Sequence, residues 1–126
     1  MTPTILFYNL ENEKGRRLKL ICLKLKIRIK LITPEQYHLP IGCLAGVMES
    51  SGDEAIYTGT GFCDEMLVMR DFDNRLLDRF LLEFKKNKIE RVGLKAVLTS
   101  ENVFWNSLQL HDELKKEHEA TKNGIS

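Results

Sequence analysis

Few side chains in this sequence could do chemistry: three cysteines, three histidines and adjacent acid pairs such as Asp53–Glu54 and Asp64–Glu65. A reactive thiol needs a partner that holds its thiolate, and neither Cys22, Cys43 nor Cys63 has a sequence neighbour that marks it as a nucleophile. Cys22 falls on the apolar stripe of a helix and reads as a small buried hydrophobe. His111 and His118, in "HDELKKEH", share a helical face but lie two turns, about 10 Å, apart. One metal ion with bonds near 2 Å does not bridge that gap, so solvated helix histidines are expected. Adjacent acids point apart or sit in loops, and no acid–base pair follows from them. CxxC, HExxH, a Walker loop and GxSxG are all missing. "TGTG" (58–61) lacks the preceding apolar strand and following helix that a phosphate loop requires, and reads as a turn.

Three groups remain. Arg16, Arg17, Lys19, Lys24, Arg28 and Lys30 could form a face for a polyanion. Single-strand readers usually add exposed aromatics on which bases stack, and Tyr8 is the best that this region offers. Tyr37, His38 and Cys43 lie in "YHLPIGCLAGV", where a small-molecule pocket could form against a sheet. Phe104 and Trp105 are neighbours, so one helix face cannot bury both; such a tryptophan suits an interface, or it packs under residues 33–65.

The elements that position these groups follow from hydrophobic period. "TILFYN" is apolar throughout its centre and reads as a strand buried on both faces. Leu18, Ile21, Cys22 and Leu25 then fall on one helical stripe. In "IRIKLIT", Ile27, Ile29 and Leu31 alternate with Arg28 and Lys30, a strand with one wet face. The order returns after Asp64: apolar "EMLVM", a helix capped by Asp71 or Asp73 with Leu77, Phe80, Leu81 and Phe84 on its stripe, and alternating "RVGLKAVLT". Two β-α-β units, 4–32 and 66–98, therefore flank an acidic inserted segment, 33–65, and a helix over 102–119 follows. The expected fold is α+β, a ferredoxin-like two-layer sandwich with the apolar strands central and the alternating strands at the edges. The alternative is a doubly wound three-layer α/β sheet. Both "TPEQ" (33–36) and "TSEN" (99–102) read as helix starts capped by threonine. Glu35 and Glu101 occupy the positive helix ends and would repel a phosphate there.

With 126 residues, 43% of them hydrophobic and 29% charged, the chain reads as one globular domain. No apolar run could span a bilayer. The opening residues do not read as a signal peptide, and three widely spaced cysteines suit a reducing compartment; a cytoplasmic protein is expected. The net charge of +1 hides asymmetry. Residues 1–32 hold eight Lys/Arg against two Asp/Glu, whereas residues 33–65 hold no Lys/Arg and six Asp/Glu. Either a polyanion site or an acidic loop folded on a basic face would explain it.

"ILFYNL" near the start and "KAVLTSENVFWNSLQLHDELKKEH" near the end resemble a DUF3783-like bacterial family of short proteins, a domain of unknown function. That resemblance implies a cytoplasmic bacterial protein and brings no catalytic residues to carry over. The leading expectation is a non-enzymatic binding or regulatory module without a cofactor, acting on a protein partner or as a homodimer. A small-molecule sensor or enzyme with its pocket near residues 37–47 is the second reading, and nucleic-acid binding by the basic first unit is the third.

Overall fold

The computed structural model describes residues 2–50, 52 and 55–124. The pair Asp53–Glu54 lies outside the described residues. Five-residue strands β1 (Thr4–Tyr8) and β3 (Met66–Arg70) form the centre of one four-stranded sheet. They pair antiparallel, with Leu6 opposite Val68. The edge strands are β2 (Arg28–Ile32), parallel to β1, and β4 (Leu94–Val97), parallel to β3, giving the order β2-β1-β3-β4. The fold is thus α+β, with the apolar strands central and the alternating strands at the edges. Connectivity departs from the ferredoxin-like expectation in one respect. The strands of each β-α-β unit are neighbours and parallel, where a split β-α-β would interleave them. Apolar period shows which faces of a strand are buried but not which strand lies beside it.

Helices α1 (Glu13–Leu25) and α3 (Asn74–Lys86) cover one face. Their stripes Leu18, Ile21, Cys22, Leu25, Phe80 and Phe84 close a core over Ile5, Phe7, Leu67 and Met69. The alternate residues of the same strands, Leu6, Tyr8, Met66 and Val68, face a second core with Tyr37, Ile41, Leu44 and Leu110. The layer on that face is made of the short α2 (Ile41–Leu44), α4 (Ser107–Gly124) and the inserted segment. The sheet is therefore covered on both sides, as the three-layer alternative required.

The two halves follow one plan, strand–helix–strand–turn–helix. Both crossover helices end in a left-handed lysine followed by a buried isoleucine, Lys26–Ile27 and Lys88–Ile89. The turns after β2 and β4 also match. Gln36 Oε1 accepts from the Thr33 N–H at 3.0 Å, and Asn102 Oδ1 accepts from the Thr99 N–H at 2.8 Å. Thr33 caps a helical turn as expected, with the capping box complete and Pro34 at its start, but "TSEN" does not open the long helix expected over 102–119. Each makes one 3-10 turn, Pro34–Gln36 or Asn102–Phe104. The chain then extends at Pro40 and Trp105, and Pro40 bridges Asn106 across the pseudo-symmetric halves. α4 starts only at Ser107, where Asn106 and Gln109 cap each other reciprocally at 2.9 Å, and runs on through Gly124.

Candidate functional site

The six basic residues singled out in the sequence do not share one surface. Arg16, Arg17, Lys19 and Lys24 belong to α1. Arg28 and Lys30 pair with Thr4 and Leu6 on β1, so the pleat turns them toward the opposite face of the sheet. Several are already engaged. Arg16 pairs with Glu13 at 3.3 Å, and the Arg17 guanidinium donates to the Asn87 carbonyl. Lys24 donates to Glu83 at 3.0 Å, and that contact holds the Glu83 carboxyl below the usual carboxylate range. These last two contacts tie α1 to α3 and leave a groove beside Leu20 between the helices.

The outer surface of this helical layer combines two properties. α1 and α3 together carry nine Lys/Arg against three Asp/Glu. Among these cations stand Leu20, 65% exposed, Leu23, 76% exposed, and Leu82, 57% exposed. They are off the core stripes because residues i, i+3 and i+4 already fill the inward face. The sequence reading passed over them; their signal was simply leucine at positions the helical period assigns to solvent.

On the second face, Tyr37 is fully buried. Its ring stacks on Phe62 at 4.8 Å and meets Tyr57 at 5.8 Å. Gly61 has φ +68°, and a Cβ there would stand 2.7 Å from the Tyr37 ring. The ring thus fills its space against the inserted segment. Burial raises the Tyr37 phenol, a rise that the neighbouring Asn9 side chain partly offsets. His38 is exposed, with its ring edge to Tyr57, and Cys43 is half-buried. "TGTG" is a turn closed by the Tyr57 phenol, which accepts from the Gly61 N–H at 3.0 Å. Phe104 is 70% exposed, whereas Trp105 packs in part against the second core and its carbonyl accepts from the Ile41 N–H.

His111 is not the solvated side chain expected from its helix. It stacks on Phe62 at 4.0 Å, and its Nε2 lies 2.8 Å from Asp64 Oδ2. Lys115 adds a second contact to Asp64 at 3.2 Å. The His111 hydrogen bond, assisted by Lys115, holds the Asp64 carboxyl below its ordinary range. Asn9 donates to the carbonyls of Phe62 and Asp64. The cluster fastens the end of the inserted segment to α4 and β1. His118 is exposed. Ser107, one turn before His111, is fully buried, and its hydroxyl lies 2.7 Å from that of Tyr8. Burial pushes the Cys22 thiol up to about 12, so it stays protonated. Among the described residues, no group of three His, Cys, Asp or Glu could hold a metal ion, and no helix is long and apolar enough to cross a membrane.

Residues 65–121, a little under half of the chain, match the family model DUF3783, a domain of unknown function. That segment is the second pseudo-symmetric half with its α4. No curated protein and no solved structure matches the chain.

Proposed function

We propose that this chain, whose residues 65–121 match the DUF3783 family model, is a non-enzymatic binding module that engages a protein partner through the outer face of α1 and α3. The exposure of Leu20, Leu23 and Leu82 within a strongly cationic helical layer carries this reading. Covering an exposed leucine is worth about 1.5–3 kcal/mol, so three exposed leucines on two adjacent helices favour an occupant. The excess of cations selects that occupant's charge: an amphipathic helix with an apolar stripe and acidic flanks complements this surface. A second copy would bring the same cations and repel. Nucleic acid would find leucines where it needs aromatic platforms, because Tyr8 is buried.

The test is a backbone NMR titration with a synthetic peptide carrying a leucine stripe and glutamate flanks. Shifts should map to α1 and α3, weaken with salt, and disappear in the double variant Leu20→Ser/Leu82→Ser. Shifts mapping elsewhere, or surviving the double substitution, overturn the assignment. Tighter binding of duplex RNA or anionic vesicles than of the peptide at this face would overturn the choice of a protein partner.

A further inference from the structure

The two halves differ on their edge strands and in the turns that lead into them. Ile29 pairs with Ile5 and Lys95 pairs with Leu67; Ile5 and Leu67 both face the first core. Lys95 therefore takes the place in the second half that an aliphatic residue, Ile29, takes in the first. The second half also carries residues 90–93 between the buried isoleucine and its edge strand; in the first half, Ile27 runs directly into β2. That insertion brings Arg91. Lys95, Arg91 and Lys85 meet around a cleft of about 460 Å³ whose wall is Leu81, Phe84 and Ile89. None of the three cations has a carboxylate within ion-pair distance among the described residues. Lys95 is half-buried, and its ammonium is held by the Val92 carbonyl at 2.6 Å.

We infer that this cleft is a binding site for a small anion with an apolar body, a carboxylate or phosphate head on an aliphatic or aromatic group. Its volume suits such a ligand, since small-molecule sites typically run to about 300–1,000 Å³. Desolvating a cation without a counter-ion is unfavourable, and the structure keeps Lys95 in that condition beside Arg91. Burial first, and then the Arg91 charge, lower the Lys95 ammonium from its ordinary range. An incoming anion would neutralise both cations at once. The guanidinium of Arg91 offers a fork of donors suited to either head group. The apolar wall then distinguishes an amphipathic anion from an inorganic one. All six lining residues lie within residues 65–121, and the site shares α3 and Lys85 with the surface proposed above but none of Leu20, Leu23 and Leu82.

Calorimetric titration with decanoate, phenyl phosphate, acetate and inorganic phosphate tests the inference on the full chain. Decanoate or phenyl phosphate should bind at least tenfold more tightly than acetate or inorganic phosphate, and which of the two is tighter shows which combination of head and body the cleft takes. Lys95→Met should abolish that binding while leaving the urea midpoint unchanged or raised, because it removes a half-buried charge and keeps the length of the side chain. Arg91→Gln, on the exposed rim, should weaken binding without loss of stability. NMR titration of the Lys95 amine should show its pKa rising when the anion is bound. Failure of both amphipathic anions to bind at millimolar concentration, equal binding of the inorganic ions, or undiminished affinity in Lys95→Met would each overturn the assignment. Leu20→Ser/Leu82→Ser should leave these affinities intact, so failure at one site is distinguishable from failure at the other.

Discussion

Tyr8 ends β1 at zero exposure, and its phenol meets the Ser107 hydroxyl 2.7 Å away. Tyr8→Phe strands the buried serine, so the expected cost is about 1–3 kcal/mol by urea unfolding. Tyr8→Phe/Ser107→Ala removes both partners and should cost less than the two single substitutions combined; a strictly additive cycle would show that the pair is not coupled. Asp64 behaves differently because it is ionised and 40% exposed. Its folded pKa is depressed, chiefly by the His111 hydrogen bond. Its stabilisation is therefore present above the unfolded carboxylate pKa and is lost as pH falls through the folded value. Asp64→Asn should cost about 0.5–1 kcal/mol near neutral pH, a figure kept small by solvent screening. Melting temperatures of wild type and variant should converge below about pH 3.9, and a gap that persists in acid would remove the ion-pair account. The hydroxyl pair and the Asp64 cluster were not legible in the sequence. Tyr8 and Ser107 lie 99 positions apart, and Asp64 and His111 lie 47 apart; no periodicity joins residues across such distances.

At the scale of elements, caps decide where helices begin and end. Asn106 and Gln109 close the start of α4 reciprocally, so Asn106→Ala should destabilise the fold by about 0.5–2 kcal/mol. Lys88 holds φ 53° just beyond α3, a conformation that glycine adopts without steric cost. Lys88→Gly should stabilise by up to about 1 kcal/mol in urea denaturation, and a loss of stability would contradict the left-handed cap. The central strands and crossover helices were legible because β1 and β3 each hold four consecutive apolar residues and α1 and α3 each carry a four-residue apolar stripe. The start of the last helix was not. "TSEN" and "NSLQ" are both good caps separated by a single turn, and the second is the one held by tertiary contacts, the Pro40–Asn106 bridge and the Ile41 and Ser107 N–H bonds to Trp105 and Tyr37. α2 has just four residues, too few for a period to register.

For the whole molecule, alternation correctly placed the apolar strands at the centre of the sheet. It could not foresee that helix and loop would cover both faces, because residues 55–65 pack through Tyr57, Phe62 and Asp64 without forming a regular element. The same blindness to tertiary arrangement affected the site. The cations were visible, yet their division between the two faces depends on the β1–β2 register. Leu20, Leu23 and Leu82 gain meaning only once α1 and α3 lie side by side. The most direct test is a calorimetric isotherm of the acidic, leucine-striped peptide on wild type and Leu20→Ser/Leu82→Ser, at low and physiological salt, with urea midpoints for both proteins. Peptide affinity that falls with salt, drops at least tenfold in the double variant and leaves the urea midpoint in place is the outcome expected for a docking face. Equal affinity in the two proteins, or a double variant that unfolds at markedly lower urea, would mean that these leucines serve the fold and bind nothing.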